Sequence, residues 1–375
     1  MADEWDPLWR RWHERRAPTR GIHLDCAAAG RTSSATISAV AVHMRLEAEL
    51  GAYVAQSAAA ETLTGLRSDL AALFGLPRDG VALVESASAA LRALLSCWPL
   101  PKGAAVAVAP SEWGPNLAAF AAAGMQVVLL DADEHGVVDI DRLQHRMITN
   151  PPALVHITQV AAHRGLVQPV ATIARACREA GIPLWIDAAQ AVGHVDTAIG
   201  PDAVYATGRK WLCGPRGVGF LGISERWWSS LQVQHHVLAA SDEPTVLAME
   251  SDDANVAGRI GLAVAVGELL DDTPAAAYRR LDEVGAATRA ALDGLPGWTV
   301  EPANGSAITA LRPTAGQDVA AVRDVLLVEH GILTTASMPA RAPHDLAEPL
   351  LRISPHVDCS AEQREALRHA LYTNG

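Results

Sequence analysis

The sequence predicts an α/β fold, a mainly parallel sheet of seven strands covered by helices, followed by a small α+β C-terminal domain. Three observations lead there. Short runs rich in β-branched and aliphatic residues recur along the chain, stretches with helical apolar spacing separate them, and the pattern changes character near Asp272. At 375 residues the chain suits a large domain plus a small one, each with its own core.

In chain order, residues 1–20 form an N-terminal segment in which Trp5, Trp9 and Trp12 stand among acids and arginines. This spacing reads as an amphipathic helix that packs on the body or on a partner subunit. The large domain, 21–271, carries strands predicted at 81–85, 104–109, 126–130, 153–158, 183–187, 203–206 and 217–223. Several are continuously apolar, as expected when helices cover both sheet faces. Helices are predicted between them at 87–96, 115–123, 140–147 and 170–180. The small domain, 272–375, reads as a helix over 274–292, strands at 298–301 and 307–312, a helix over 318–330, short strands near Ile332 and Leu351, and a final helix over 361–372.

Half of the residues are apolar and 19% are charged, which is the composition of an ordered globular body. A net charge of −12 opposes nucleic acid and anionic membrane as partners, because both need excess Lys and Arg to displace counterions. The acidic start Met1-Ala2-Asp3-Glu4 and the lack of any run of about 18 apolar residues predict a cytoplasmic protein. The five cysteines are scattered singly, and His194 and His235-His236 follow no metal-ligand spacing, so no metal is expected.

Chemistry concentrates where open α/β sheets bind ligands, at the carboxyl ends of strands. Only two of the thirty basic side chains are lysines, Lys102 in a turn and Lys210 just past a predicted strand, before the glycine-rich stretch 214–219. Arginine cannot replace lysine in imine chemistry, because only an amine that loses its proton attacks an aldehyde. An exposed end-cap charge would also explain a lone Lys210. Upstream, Asp187 ends the apolar run Leu184-Trp185-Ile186, where a carboxylate without a partner is costly. A protonated pyridine nitrogen is a suitable partner, since the carboxylate then holds the ring as an electron sink. An N-cap role would explain Asp187 by itself, but not its pairing with Lys210.

At these residues the chain resembles the class V aminotransferase family of fold-type I enzymes, which use pyridoxal 5′-phosphate (PLP). The resemblance begins near His23-Leu24-Asp25-Cys26 and runs through Ile157-Thr158-Gln159 and Gly165-Leu166-Val167-Gln168-Pro169. It peaks at Asp187-Ala188-Ala189-Gln190 and Ala206-Thr207-Gly208-Arg209-Lys210, and returns at Leu351-Arg352-Ile353-Ser354-Pro355-His356. It implies the fold-type I fold, PLP as cofactor and Lys210 as its Schiff-base lysine. Asp187 is then the pyridine-nitrogen partner and Gln190 a contact to the ring oxygen. Ser86, Ala87 and Ser88, between a strand and a helix, are placed to take the phosphate at a helix N-terminus, with Thr207 adding a hydroxyl. Trp113 falls where relatives stack a ring on the cofactor, and ordinary core packing remains its alternative. Arg352 falls where relatives receive the substrate carboxylate, a task suited to a bidentate guanidinium.

His163 and His356 are the substrate-contact candidates, with His156 also near; a solvated loop role stays open for His163. Fold-type I enzymes are usually homodimers, which implies a homodimer here. Asn255 to Arg259 either reach the second subunit's phosphate or start a helix. Desulfurases of the family carry a histidine before the lysine and a nucleophilic cysteine on a small-domain loop. Here Arg209 precedes the lysine, and 331–339 contains no cysteine. The resemblance is to the epimerase-like branch and implies a carbon–sulfur β-lyase with a small-molecule amino-acid substrate. An epimerase, an aminotransferase, a desulfurase or a non-catalytic homologue are the alternatives.

Overall fold

The computed structural model describes residues 6–233 and 246–374; Trp5 and His235-His236 lie outside the described residues. The chain opens with α1 (Pro7–Glu14), β1 (Ile22–His23), α2 (Ser34–Leu50), α3 (Ala52–Ala58) and α4 (Ala60–Phe74). The alternating body follows as β2 (Val81–Val84), α5 (Ala87–Cys97), β3 (Ala105–Val108), α6 (Gly114–Ala122), β4 (Gln126–Leu129), α7 (Ile140–Thr149), β5 (Leu154–Thr158), α8 (Val170–Ala180), β6 (Leu184–Asp187), β7 (Ala203–Thr207) and β8 (Gly219–Ile223). Next come α9 (Val256–Asp271), α10 (Pro274–Leu292), β9 (Trp298–Val300), β10 (Thr309–Pro313), α11 (Val319–Val328), β11 (Ile332–Leu333), β12 (Thr335–Ser337), β13 (Leu350–Ile353) and α12 (Ala361–Asn374).

Seven strands form one sheet in the order β2-β8-β7-β6-β5-β3-β4. Pairings from β7 across to β4 are parallel, while β8 runs antiparallel to both its neighbours. The five strands β2, β5, β6, β7 and β8 are buried along their whole length, which explains their continuous apolar runs. Alternation sends Val155, Ile157, Ile186 and Val204 to one core and Leu154, Trp185 and Tyr205 to the other. By the same period of two, His156, Thr158, Asp187 and Tyr205 share the second face.

The C-terminal part holds an antiparallel sheet of order β12-β13-β10-β9. The first strand departs from the division expected at residue 21. β1 pairs in parallel with β11, and Leu24 lies in one apolar cluster with Leu326, Ile332 and Leu351. Residues 22–24 are apolar at alternate positions, and the edge that satisfies them belongs to the C-terminal part.

Helix α1 is capped by the Asp6 side chain, begins with Pro7 and buries Leu8 and Trp12. Trp12 packs on the His356 ring at 4.2 Å, and the Arg16 guanidinium covers it at 3.9 Å. Packing on the body is therefore a role of this segment. Residues 34–74, for which sequence reading assigned no element, form the three helices α2 to α4.

Candidate active site

Lys210 stands three residues beyond β7 in a loop pressed against the chain's start. The Gly30 N–H donates to the Arg209 carbonyl at 2.8 Å. The Lys210 carbonyl and Cys213 Sγ occupy the space a Cβ on Gly30 would need. Cys213, which donates its N–H to the Lys210 carbonyl at 2.9 Å, takes a left-handed φ of 56°. Such strain in a non-glycine residue persists only where surroundings enforce it, commonly beside a reactive group. Burial lowers the Lys210 amine to about 7, Asp187 opposing and Arg209, Arg352 and Arg341 adding to the effect. A large share of this amine is neutral at physiological pH.

Asp187 closes β6. One carboxylate oxygen accepts the Ala189 N–H and the other the Asn116 amide, each at 2.8 Å. Residues 189–194 form turns rather than a helix, so Asp187 caps a turn. Burial raises its carboxyl, while the Asn116 bond and the Lys210 charge oppose. Gln190 sits one turn on; its amide donates to the Ala27 carbonyl at 2.9 Å and accepts the Trp211 indole N–H at 2.8 Å. One amide N–H of Gln190 remains for a further acceptor.

Ser86 caps α5 by accepting the Ala89 N–H at 3.1 Å. Val84 and Thr207 are both in register with Gly219, whose missing side chain leaves room for the Ser86 backbone. The strand ends thus bring Ser86, Ala87, exposed Ser88 and buried Thr207 to one sheet edge beside the N–H groups of a helix start. Trp113, half-buried, precedes α6, and its ring lies 5.7 Å from the Arg341 guanidinium.

Arg352, on β13, is buried; it donates to the Ala162 carbonyl and to Asp25, each at 2.9 Å. Its Nε has no partner among the described residues. Arg209 and Arg341 lie within electrostatic reach of Arg352, and burial lowers both. Neither guanidinium makes a hydrogen bond among the described residues. A cluster of guanidiniums facing one carboxylate, Asp25, is a receptor for anionic groups.

The histidines are placed differently from one another. His163 meets Asp345 at 2.6 Å in a cluster completed by Arg164, and this cluster lines a groove with Glu301 and Arg312. His356 packs on Trp12 and Trp211 with Nε2 at 3.2 Å from the Trp211 carbonyl, and burial lowers it to about 4. It lines a separate cavity with His13, His23 and Arg31. His156 is buried between Glu112 and Tyr205. Asn255 caps α9, accepting the Gly258 N–H, and Arg259 turns inward to Glu250 and the Leu83 carbonyl. That segment is a helix start.

Sequence reasoning passed over Glu112, Asn116, Tyr205, Asp25 and Arg341 as site residues. Their signal was available in part: Tyr205 and His156 are polar interruptions in otherwise apolar strands, and Asn116 stands one turn past Glu112. These residues fit PLP. A buried carboxylate whose burial is not offset, a largely neutral amine beside it, and a capped helix start at the same sheet edge match a cationic ring, an aldehyde and a phosphate.

A family profile described as Aminotransferase class-V matches residues 22–336, and the chain belongs to that family. It is a PLP-dependent enzyme of the fold-type I class, and carbon–sulfur lyases and desulfurases are among its relatives. It is 44% identical to a probable hercynylcysteine sulfoxide lyase of Mycobacterium tuberculosis, over 98% of this chain and 93% of that protein. A probable cysteine desulfurase of Methanothermobacter thermautotrophicus is 28% identical over 65% of this chain and 66% of its own. Among solved structures, a cysteine desulfurase of Escherichia coli superposes with a TM-score of 0.84 at 21% identity, covering 97% of each chain. A cystine C–S lyase bound to cysteine persulfide gives 0.83 at 17% identity, covering 94% of this chain and 98% of that one. These structures share its fold.

Proposed function

We propose that the protein is a carbon–sulfur β-lyase that cleaves hercynylcysteine sulfoxide to the sulfenic acid of ergothioneine, with pyruvate and ammonia; a thiol reductant, oxidised to its disulfide, then takes the sulfenic acid to ergothioneine and water. The observation that carries this reading is the 44% identity along nearly the whole chain to a protein named for that activity. PLP, when bound, supplies the electron sink that lets a Cα proton leave. Lys210 would hold the cofactor, and its Nζ would accept the Cα proton; an amine lowered to about 7 suits a base at neutral pH. Asp187 holds the ring nitrogen's charge, and Ser86, Ala87, Ser88 and Thr207 take the phosphate. Trp113 would stack on the ring, and Gln190 would contact the ring oxygen through its remaining N–H. Arg352 orients the substrate carboxylate through its unpaired Nε, and His163 borders the substrate side, whereas His356, expected there too, faces the separate cavity beside His13 and His23 because it packs between Trp12 and Trp211.

The cysteines speak against a desulfurase. Burial raises the thiols of Cys26, Cys97, Cys177 and Cys213, which removes the thiolate that a persulfide needs. Ala340 and Arg341 follow the cysteine-free stretch 331–339. We also assign a homodimer and a cytoplasmic location. Exposed Ile37, Val42, Met44, Leu50, Tyr53 and Val54 on α2 and α3 support the first, and free cysteines the second. No helix among the described residues is long and apolar enough to cross a membrane.

The test is incubation of PLP-loaded protein with hercynylcysteine sulfoxide and, separately, with cysteine. With a thiol reductant present, pyruvate and thione from the sulfoxide, with neither alanine nor persulfide from cysteine, are the expected products. Absence of pyruvate from the sulfoxide would overturn the assignment.

A further inference from the structure

Asp187 is one corner of a closed ring of buried side chains. Asn116 Nδ2 donates to Asp187 at 2.8 Å and to Glu112 Oε1 at 2.9 Å, and the Thr158 hydroxyl donates to the same Glu112 oxygen at 2.6 Å. The other Glu112 oxygen meets His156 Nδ1 at 3.0 Å, and His156 Nε2 meets the Tyr205 hydroxyl at 2.9 Å. Tyr205, the register partner of Asp187 on the neighbouring strand, lies within electrostatic reach of its carboxylate and completes the ring. Glu112, His156 and Tyr205 are all fully buried. Sheet register explains the closure, since β3, β5, β6 and β7 are neighbours and Asp187 is paired with both Thr158 and Tyr205.

The valences of this ring allow two proton arrangements. In the first, Asp187 is an acid that donates to the Tyr205 oxygen, Tyr205 donates to His156 Nε2, and His156 Nδ1 donates to the Glu112 carboxylate. In the second, the Asp187 O–H bond has broken as a new Tyr205 O–H bond forms, and the original Tyr205 proton has moved to His156 Nε2. Asp187 is then a carboxylate, His156 an imidazolium and Glu112 still a carboxylate. The ring carries one net negative charge in both, so the change moves protons without adding charge to the interior.

We infer that Glu112, His156 and Tyr205 are positioning residues that hold a proton for Asp187 and so keep its carboxylate ionised toward the cofactor's ring nitrogen. Burial alone would raise Glu112, yet its bonds to His156, Thr158 and Asn116 hold it below the usual carboxylate range. It is therefore the fixed anion that stabilises the imidazolium. Burial raises the Tyr205 phenol well above its ordinary range, so Tyr205 passes protons and is not itself ionised. The charged groups facing Asp187 are Lys210 and Glu112, and Phe120 meets His156 edge-on at 5.0 Å, so no other cation shares this role among the described contacts. The inference rests on the cofactor alone and is independent of the carbon–sulfur lyase reading.

The test uses holoenzyme loaded with PLP carrying nitrogen-15 in the ring, its NMR shift followed from pH 6 to 9 without substrate. Tyr205→Phe, His156→Gln and Glu112→Gln are compared with the unmodified protein, each with a thermal-unfolding midpoint and a PLP dissociation constant. The expected result is a protonated ring nitrogen in the unmodified protein and a shift toward the unprotonated value in all three variants. PLP affinity falls about tenfold, the equivalent of one unit in a protonation equilibrium. Tyr205→Phe removes a single hydroxyl and decides the matter if the other two variants fail to fold. A folded Tyr205→Phe holoenzyme with an unchanged nitrogen shift would overturn the inference, whatever its lyase activity.

Discussion

On the sheet side of Lys210, Asp187 sits in a ring of buried hydrogen bonds whose partners come from neighbouring strands and α6. On the other side, Arg352 keeps an unpaired Nε, and the guanidiniums of Arg209 and Arg341 make no hydrogen bonds among the described residues. The first side is completed by the protein itself; the second presents cationic donors that an incoming anion would complete. A buried donor without a partner costs about 1–3 kcal/mol, so the cationic side gains most when substrate arrives. On the proposed reading, cofactor geometry and substrate specificity are separated on opposite flanks of one amine.

The largest expected effect comes from removing the amine between the two sides. Lys210→Ala should lower kcat/KM by roughly 10⁴-fold or more, because both the covalent anchor and the base are lost. The loss of the visible absorption band of bound PLP checks it. Cutting the sheet side alone, Asp187→Asn should lower kcat by on the order of 10²–10³-fold, the scale of a preorganised electrostatic contact. Steady-state kinetics with saturating PLP would show a fall in kcat exceeding any change in KM. Breaking the cationic side should reverse that pattern. Arg352→Gln should raise KM roughly 10–100-fold through the loss of a charge-assisted bond of about 1.5–3 kcal/mol, with the PLP band retained.

Much of this contrast was legible in the sequence, and the unread part has a physical cause. Lys210, Asp187 and the Ser86 turn stand at strand ends, where periodicity and turn chemistry point to them directly. The seven strands were recovered within about two residues at each end because continuous apolar runs are strong local signals. Residues 34–74 escaped because α2 is not cleanly two-faced: it packs on α9 yet exposes Ile37, Val42 and Met44. The Glu112–His156–Tyr205 ring escaped because its members lie on three separate strand–helix units, and only the strand order makes them neighbours. Ile22 to Leu24 were misplaced for the same reason, their partner strand being some 310 residues away.

The lowered amine makes the junction of the two sides sensitive to pH. Capture of PLP requires neutral Lys210, so the rate at which apoprotein gains its absorption band should rise through about pH 7, against the ordinary 10.5. The same shift gives a sign for apoprotein stability. A lysine whose pKa is lowered on folding binds more protons when unfolded, so stability rises with pH between about 7 and 10.5. Lys210→Met should flatten that rise in urea titrations across the window.

The smallest effect concerns His163, and it sharpens the boundary of the cationic side. Asp345 joins His163 at 2.6 Å and Arg164 at 2.7 Å. Burial alone would raise the Asp345 carboxyl, but these partners hold it at about 2. A carboxylate lowered on folding contributes stability that is present above the unfolded value of 3.8 and is lost as pH falls toward 2. Asp345→Asn should therefore destabilise the protein by about 1 kcal/mol at neutral pH, after discounting for solvent screening, with the difference fading in acid. If His163 touches substrate, the same variant also raises KM by freeing its imidazole to reorient. An unchanged KM beside the lost stability would assign His163 to the scaffold and leave the arginines as the whole of the substrate side.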